Sequence, residues 1–266
     1  MKFQRYFQSA IPVFALLLGW EIFSRLGILN PVLLSRPSEI FLTMWFLLNT
    51  KSLTGHSVLL THIYVSLYRL FCAISIATAF GISLGILMGI NKYINAYFDP
   101  LISITMPIPG IAWAPIFMLW LGYGSLTIVT VGTLAAFFPI VYNTAAGVRS
   151  IEKQLIWATE TMGADKKTVF LKVLLPWAAP YILTGFRLGL ARGWRTVIAV
   201  EMIAASIWGL GFMIFDAREF IQTSVIYGGI MILALIFFLI ENTFVRLVEK
   251  NTVEKWGMIK STEVFR

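Results

Sequence analysis

Residues 156–180 read IWATETMGADKKTVFLKVLLPWAAP and decide the fold. The stretch is polar and basic, yet it lies between two long apolar blocks. Gly163 interrupts a helical run, and Asp165 is placed to cap a helix that restarts at Lys166. Pro176 is expected to end that helix, because the proline ring disfavours continuation into the next apolar block. The stretch predicts a helix–Gly–helix element at a membrane surface, with one side free to contact a partner.

The second helix of this element is amphipathic. Its apolar residues repeat at helical spacing and are Val169, Phe170, Val173 and Leu174. Beside them lie the three lysines Lys166, Lys167 and Lys172. The apolar residues are candidates for contact with a partner or with the protein's own core. The lysines are candidates for contact with acidic partner residues or for a solvated face, and the sequence leaves both choices open.

The composition indicates a polytopic membrane protein. The 266-residue chain is 58% hydrophobic and 13% charged, with a mean hydropathy of +0.81, whereas soluble domains carry about 25% charged residues. One cysteine, Cys72, allows no disulfide framework, and two histidines are too few for a metal cluster. The net charge of +8 comes without a basic patch interleaved with aromatic residues, which argues against nucleic acid binding.

Motifs for hydrolytic and redox chemistry are missing from the sequence. It has no Gly-rich phosphate loop, no His-Glu-x-x-His and no Gly-x-Ser-x-Gly. The chain is therefore not expected to be an enzyme by itself or to bind a cofactor or a metal. Active transport by such a chain needs energy from a partner or from an ion gradient.

Apolar segments predict an all-α protein with about six transmembrane helices. The first follows Lys2 and Arg5 and is expected to be uncleaved, because no small-x-small cleavage site follows it. A short amphipathic helix over 37–49 is expected to lie on the membrane surface. The predicted spans are 11–28, 63–90, 98–121, 126–147, 181–205 and 225–248.

Lysine and arginine are unevenly distributed between the two predicted sides of the membrane. Only Arg36, Lys51 and Arg218 lie clearly on the side opposite the 156–180 element. Positively charged loops remain in the cytoplasm. Both termini and the 156–180 element are therefore predicted to be cytoplasmic.

The third predicted span is rich in proline, with Pro107, Pro109 and Pro115 close together. Such a helix is expected to be broken or kinked. Irregular backbone at membrane depth is tolerated only where it is buried in protein or lines a cavity. Met106 and Trp113 in this segment are therefore candidates for lining a translocation path, with simple packing as the alternative for Trp113.

The fifth predicted span carries Arg192, Arg195 and Glu201. A charge at the centre of a bilayer costs about 2.5–3.5 kcal/mol on the insertion scale, so such residues usually face protein or water. Either arginine is a candidate contact for an anionic solute. The alternative is that one of them pairs with Glu201 or binds carbonyl groups of a neighbouring helix. Arg69, near the start of the second span, is expected to extend outward to the interface.

Two spans carry glycine at every fourth residue, which leaves a small face where another helix can approach closely. The alternative is that these glycines are ordinary residues of membrane helices and have no role in helix packing. These residues are Gly81, Gly85 and Gly89 in the second span and Gly185, Gly189 and Gly193 in the fifth.

The 156–180 element resembles the "EAA" loop of permease subunits of bacterial ABC importers. That motif is Glu-Ala-Ala, three residues, Gly, nine residues, an aliphatic residue, one residue and Leu-Pro. The matching residues here are Ala158, Gly163, Val173, Leu175 and Pro176. Trp157 stands at the position of the Glu, and Thr159 at that of the second Ala. The resemblance implies that this loop, with Ala164 beside its glycine, contacts a cytoplasmic ATPase and couples it to transport.

Other stretches are similar to the nitrate/sulfonate/taurine branch of these permeases. They are Asp99–Leu101, Pro107–Pro109, Ala112–Pro115, Leu119–Gly124, Thr184–Leu190, Trp194 and Ala199–Met202. The resemblance implies a type I importer permease fold in three parts. These are a first helix with an external interfacial segment (1–61), a core permease domain with a coupling loop at about 150–178 (62–248), and a cytoplasmic tail (249–266).

The same resemblance implies partners and a location. The permease is expected to work as a pair, favouring a homodimer, with two ATP-binding subunits that carry ATP and magnesium and with an external binding protein. The solute is expected to be a sulfonate, taurine or nitrate-like oxyanion, and the location a bacterial inner membrane.

Two other classes of function remain open from the residues alone. One is a secondary transporter driven by an ion gradient, for which Glu201 is the only plausible coupling carboxylate. The other is a membrane scaffold without transport, which the kinked third span and the charged fifth span argue against. Co-purification of an ATPase separates the importer from both.

Overall fold

The structure is a computed structural model that describes residues 2–27, 30, 32–52 and 55–245. Nearly all of these residues are helical, and no strand is formed among them beyond one isolated bridge between Lys51 and Ser57. The predicted all-α class is confirmed. The α-helices are α1 (Lys2–Arg25), α2 (Pro37–Asn49), α3 (Val58–Ile90), α4 (Lys92–Thr105), α5 (Ala114–Leu121), α6 (Ser125–Arg149), α7 (Lys153–Thr161), α8 (Lys166–Val169), α9 (Leu175–Ala204), α10 (Leu210–Glu219) and α11 (Thr223–Leu239). A 3-10 turn, Gly110–Trp113, and two π-helical segments, Phe170–Leu174 and Ile240–Val245, complete the described helices.

Four stretches of the described chain are long and apolar enough to cross a membrane. They are Val58–Ile90, Ser125–Arg149, Lys166–Ala204 and Thr223–Thr243. A fifth span is formed if the pair Lys92–Thr105 and Gly110–Leu121, bent by 96°, counts as one. The described residues thus give four or five spans where six are predicted. The first predicted span, 11–28, overlaps α1 (Lys2–Arg25), which is not among these stretches, and residue 28 lies outside the described residues.

The chain divides into two compact units. One is made of 1–66 with 207–235, and the other of 67–206 with the residues from 236 on. The predicted boundaries at 61 and 248 stay predictions, and the predicted tail, 249–266, lies outside the described residues.

In the first unit, α2 forms over the predicted range and begins with Pro37 in its first turn. Its N-terminus is fixed to α1 by Glu21, whose carboxylate accepts hydrogen bonds from the backbone N–H of Ser38 at 3.1 Å and from the Ser38 hydroxyl at 3.0 Å. The placement of α2 on the membrane surface stays a prediction.

The start of α10, also in the first unit, is fixed to α3. The Ser66 hydroxyl accepts a hydrogen bond from the backbone N–H of Leu210 at 2.8 Å, and the His62 ring lies against Gly209, with Nδ1 2.8 Å from its carbonyl oxygen. His62 and Ser66 are both buried. Two side chains one helical turn apart on α3 therefore orient the first turn of α10.

In the second unit, α3 and α9 approach α6 closely where glycine stands in the sequence. A Cβ atom on Gly85 would lie 2.5 Å from Cβ of Thr144, and a Cβ atom on Gly189 would lie 2.8 Å from the carbonyl oxygen of Ala136. Side chains other than hydrogen do not fit at such distances. The interpretation of both glycine repeats as helix-packing faces is confirmed.

A buried apolar cluster joins α3, α5, α6 and α9 in the second unit. Trp113, Phe117 and Met118 pack against it, so the proline-rich segment is anchored to the same core. The members of the cluster are Ala73, Ala114, Ile128, Val131, Val197, Val200 and Ala204.

Candidate functional site

Gly163 forms the turn between α7 and α8. Its φ of +84° lies in the left-handed region that favours glycine. The turn is closed by two backbone hydrogen bonds, from Gly163 N–H to the carbonyl oxygen of Glu160 at 2.9 Å and from Ala164 N–H to that of Thr159 at 3.1 Å. A Cβ atom on Gly163 would meet nothing within 4 Å. The glycine is thus required by the backbone conformation rather than by lack of space.

Asp165 caps α8 as the sequence predicts. Its carboxylate accepts a hydrogen bond from the backbone N–H of Thr168 at 3.2 Å. Hydrogen bonds from the Thr168 hydroxyl and from that N–H hold the pKa of Asp165 below its ordinary value. The cap and the glycine turn together fix the angle at which the second helix leaves the loop.

The prediction that Pro176 ends this helix is wrong. The chain stays helical over 39 residues, from Lys166 to Ala204. Just before the proline, Phe170–Leu174 adopts a π-helical turn, and the N–H of Leu175 donates to the carbonyl oxygen of Phe170. The wider turn shifts the hydrogen-bond register, so the ring of Pro176 is accommodated where a regular α-helix would clash.

The apolar residues of the second helix face this chain rather than a partner. Val169 is 8% exposed, and Phe170, Val173 and Leu174 are half-buried. Of the two roles left open by the sequence, the structure favours packing within the chain itself. Among the matched motif residues, Ala158 and Gly163 are exposed, and the half-buried ones are Ala164, Val173, Leu175 and Pro176.

The beginning of α9 is pressed against the end of α6. A Cβ atom on Gly147 would lie 2.4 Å from Cβ of Tyr181, so only glycine admits the tyrosine there. The indole N–H of Trp177 donates to the Ser150 hydroxyl at 3.1 Å, and this hydroxyl donates to the carbonyl oxygen of Gly147 at 2.8 Å. Next to it, the Arg149 guanidinium donates to the side chain of Asn95 on α4. The 156–180 element is therefore joined to the end of α6, which is in turn joined to α4.

The proline-rich segment is broken as predicted, between α4 and the turn that precedes α5. Gly110 begins this turn and touches α9, because a Cβ atom on it would lie 2.6 Å from Oγ1 of Thr196. A cavity of about 10 Å³, hardly enough for one water molecule, lies beside the turn. Its lining consists of Met106, Ile108, Gly110, Trp113, Leu134, Ala135, Phe138 and Arg192.

Three of the predicted pathway residues, Met106, Trp113 and Arg192, meet at this cavity. Arg192 is half-buried, and within the described chain it has no hydrogen bond or ion pair. Arg195 does not reach the cavity wall: it is exposed, and its Nε donates to the carbonyl oxygen of Ala191 on its own helix at 3.0 Å. Arg192 is therefore the charged group of this cavity.

Glu201 lies elsewhere and has a different partner from the one predicted. Its carboxylate is 0% exposed and accepts a hydrogen bond from Arg69 of α3, with Nη1 and Oε1 2.8 Å apart. Arg69 is 4% exposed, so it does not extend outward as expected, and its Nε donates to the Ser125 hydroxyl at 3.0 Å. The pairing of Glu201 with Arg192 or Arg195 is wrong. Because the carboxylate is occupied by a buried guanidinium, the geometry gives no support to Glu201 as an ion-coupling group.

Sequence reasoning missed this ion pair, although a signal was present. A buried basic residue in one span and a buried acidic residue in another stabilise each other. The residues of a single span do not show such a pair. Matching the charges between spans would have suggested Arg69 as well as Arg192 and Arg195 as partners for Glu201.

Comparison with known proteins decides the family. Residues 77–254 match the family described as "Binding-protein-dependent transport system inner membrane component". The chain belongs to this family. It is thus a multi-pass inner-membrane component and the permease subunit of an ABC importer, whose ATPase is a separate subunit.

Relatives of this permease include proteins named for the transport of taurine and of aliphatic sulfonates. It is 36% identical over 226 residues to the taurine transport system permease protein TauC of Escherichia coli strain K12, covering 85% of this chain and 82% of TauC. It is 33% identical over 237 residues to the putative aliphatic sulfonates transport permease protein SsuC of Bacillus subtilis strain 168, covering 89% of this chain and 83% of SsuC.

A solved structure confirms the permease fold. The inward-facing MetNI methionine ABC transporter aligns with a TM-score of 0.61 at 21% identity, covering 71% of this permease and 95% of the aligned chain. The predicted type I importer architecture is therefore confirmed.

Proposed function

We propose that this permease forms the translocation path for a small oxyanion of the sulfonate kind, taurine being the favoured example. The observation that carries the proposal is Arg192, a half-buried guanidinium without a described partner at a cavity otherwise lined by apolar side chains and Gly110. A guanidinium is weakly hydrated and matches the oxygens of an oxyanion with two parallel N–H donors. The names of the relatives TauC and SsuC support the same solute class.

The lining of the cavity also suits the remainder of such a solute. Trp113 and Met106 lie on the broken segment opposite Arg192 on α9. An organic sulfonate has a charged head and an uncharged body. The cavity of about 10 Å³ is too small for it in this conformation. When the broken segment moves and the path widens, the head is expected to contact the arginine and the body to contact the tryptophan and the methionine. The attraction is strong because few polar groups compete for the guanidinium in this low-dielectric setting.

The proposed assembly rests on the family to which the chain belongs. Two copies of this permease form a homodimer, two ATP-binding subunits bind ATP and magnesium on the cytoplasmic side, and an external binding protein delivers the solute. The coupling loop around Gly163 contacts the ATP-binding subunit. Both termini lie in the cytoplasm, which the distribution of lysine and arginine supports.

Uptake of radiolabelled taurine into cells that overproduce the complete importer tests the solute and the residue. Arg192→Gln is expected to lower uptake at least about 10-fold, the equivalent of one charge-assisted hydrogen bond of about 1.5 kcal/mol. Arg192→Lys keeps the charge, and its uptake is expected to lie between those of the wild type and Arg192→Gln. Arg195→Gln is the matched control and is expected to transport normally, because Arg195 lies outside the cavity.

Equal uptake by the wild type and Arg192→Gln, at equal amounts of permease in the membrane, contradicts the role of Arg192. If the wild type takes up no taurine but takes up another solute in an ATP-dependent way, the proposed solute is wrong. The function as an importer is then unaffected. Uptake that needs an ion gradient and no ATPase contradicts the importer.

A further inference from the structure

The spans α3 and α6 end at the same level, which marks one surface of the membrane. A Cβ atom on Gly89 would lie 2.4 Å from Cβ of Val148, so the two helices touch one residue before α3 ends at Ile90 and α6 ends at Arg149. Both helices are long and apolar enough to cross a membrane. The chain then enters α4, which begins at Lys92. Lys92 and Arg149 therefore lie at the surface where two spans leave the bilayer.

Lys92 and Arg149 are exposed cations that share a neighbour on α4. The Arg149 guanidinium donates to the side chain of Asn95, which lies three residues after Lys92 and so on the same face of the helix. Neither cation forms an ion pair among the described residues. The nearest acidic residues in the sequence are Asp99, two turns further along α4, and Glu152, beyond the end of α6. The membrane surface thus carries two positive charges with an uncharged amide between them.

One face of α4 is exposed and changes from aromatic to aliphatic along the helix. On the inner side, Ile102 is 3% exposed and packs against Met88 of α3 and Val141 of α6. The residues of the exposed face recur at helical spacing, are 50–75% exposed, and are Tyr93, Tyr97, Leu101 and Ile104. Tyrosine is enriched at the headgroup level of membranes, and aliphatic side chains suit the hydrocarbon. From Lys92 onward, this face has the order of a phospholipid, from a charged head to an apolar chain.

We propose that Lys92, Arg149 and the exposed face of α4 form a binding site for one anionic phospholipid, the α4 lipid site. The phosphate contacts Lys92 and Arg149, and one acyl chain follows the face of α4 as far as Ile104. Arginine binds phosphate through two parallel N–H groups, and lysine binds it as a point charge. Basic positions between membrane helices are a common way to recognise acidic headgroups. The proposal does not depend on which solute the permease transports.

Charge and length together select this ligand. Free phosphate contacts the two cations but leaves the apolar face of α4 uncovered. A zwitterionic phospholipid brings its own ammonium group close to Lys92 and Arg149, so its attraction to them is weaker. Ile104 lies about 18 Å along the helix from Lys92, at 1.5 Å per residue, and a protein in the aqueous phase does not reach both. An anionic phospholipid carries the charge at one end and spans this length.

The α4 lipid site lies on the helix that leads into the broken segment. α4 ends at Thr105, and Met106 follows it in the wall of the cavity that contains Arg192. The core of the permease holds only the inner side of α4, through Ile102 and its neighbours. A lipid on the outer side completes the packing of this helix. Anionic lipid is therefore expected to raise the unfolding temperature of the permease.

Native mass spectrometry of the full-length permease, titrated with phosphatidylglycerol or phosphatidylcholine in detergent, tests the proposal. The wild type is expected to retain phosphatidylglycerol more tightly. Lys92→Gln and Arg149→Gln are each expected to weaken this binding about 5-fold, which corresponds to about 1 kcal/mol at 1.4 kcal/mol per tenfold. The double variant is expected to weaken it about 30-fold. Arg149→Lys keeps the charge and is expected to stay within a few-fold of the wild type.

Lys167→Gln is the matched control, because Lys167 is an exposed lysine on α8, outside the α4 lipid site. It is expected to retain phosphatidylglycerol like the wild type. The elution volume of each purified variant shows whether the permease is intact. Lys92→Gln removes no hydrogen bond of the described chain, so it tests the site even if Arg149→Gln, which alters the contact with Asn95, does not fold.

Three results would overturn the α4 lipid site. The first is equal retention of phosphatidylglycerol by the wild type and by the double variant. The second is displacement of the lipid by an equal concentration of water-soluble glycerol 3-phosphate, which shows a site for free phosphate instead. The third is loss of the lipid when the permease is assembled with its ATP-binding subunits, which assigns the two cations to a contact between subunits. Retention of one phosphatidylglycerol per permease in the complete importer supports the proposal.

Discussion

Removing one partner of the buried pair Arg69–Glu201 is the sharpest perturbation that the structure offers. The side chains are 5% and 0% exposed, so solvent does not screen the charge that remains. Glu201→Leu leaves the Arg69 guanidinium buried without the carboxylate of Glu201, while its hydrogen bond to the Ser125 hydroxyl remains. The variant is therefore expected to lose stability as well as transport.

Two independent magnitudes agree on the size of this effect. Breaking a buried ion pair by removing one partner costs about 3–5 kcal/mol. A single arginine at the centre of a bilayer costs about 2.5–3.5 kcal/mol on the insertion scale. A loss of about 3 kcal/mol is thus expected for Glu201→Leu, and it is a large part of a typical folding stability of about 5–15 kcal/mol. Glu201→Gln keeps an acceptor but not the charge, and is expected to lose nearly as much.

The single variant Arg69→Met and the double variant Arg69→Met, Glu201→Leu complete the double-mutant cycle. With both charges replaced by apolar groups of similar volume, most of the lost stability is expected to return. Thermal unfolding of the purified variants in one detergent measures the coupling between the two positions, and their amount in the membrane gives a second readout. If Glu201→Leu unfolds at the same temperature as the double variant, the two charges do not stabilise each other, and the reasoning is refuted.

Three further predictions concern the coupling loop and its attachment. Gly163→Val is expected to stop transport while ATP is still hydrolysed, because a β-branched residue at φ +84° is strained by about 1–2 kcal/mol or more. Gly163→Asn tolerates the left-handed backbone and should retain most of the uptake. Gly147→Ala is expected to destabilise the permease by about 1–3 kcal/mol through overpacking against α9, whereas Gly19→Ala has open space and should not, as unfolding curves will test. The low pKa of Asp165 means that its cap on α8 acts fully above the ordinary aspartate pKa of about 3.9 and is lost as the pH falls through the lower folded value. In the wild type, the protection of the Thr168 amide against hydrogen exchange should fall as Asp165 becomes protonated. In Asp165→Ala, this protection should show no such change with pH.

Local backbone chemistry was the most predictable part of this permease. The residue types at 163 and 165 are enough to predict their roles. A glycine after a helical run favours a turn, and an aspartate before the next helix favours a cap, and both effects involve only neighbouring residues. The break of the third span follows equally from its prolines. The glycine repeats could be interpreted because a four-residue spacing lines up on one face of any helix.

Contacts between distant residues were not predictable from such patterns. Arg69 and Glu201 are 132 residues apart, so the signal for their pairing lies in matching charges between spans and not in a local pattern. The side on which Val169 lies depends on how α8 is rotated relative to the rest of the chain, and the amphipathic pattern alone does not determine this rotation. The helix continues through Pro176 because of a π-helical turn, and the residue types in Phe170–Leu174 do not predict such a turn.

The continuity of the helix through Pro176 matters for how the proposed coupling would work. A proline break would have left the coupling loop on a flexible joint. Instead, one helix of 39 residues begins at Lys166 in the loop, carries Arg192 at the cavity and ends just beyond the buried Glu201. At 1.5 Å per residue this helix is about 58 Å long, so a tilt of about 5° displaces its far end by about 5 Å. Motion of the ATP-binding subunits against the coupling loop is therefore expected to pass along this continuous helix toward Arg192. An inserted flexible glycine pair after Leu175 is expected to abolish uptake while preserving the binding of the ATP-binding subunit. Normal uptake by that variant, with the insertion confirmed by mass spectrometry, would show that coupling takes another route, such as the contacts of Trp177 and Arg149 with α6 and α4.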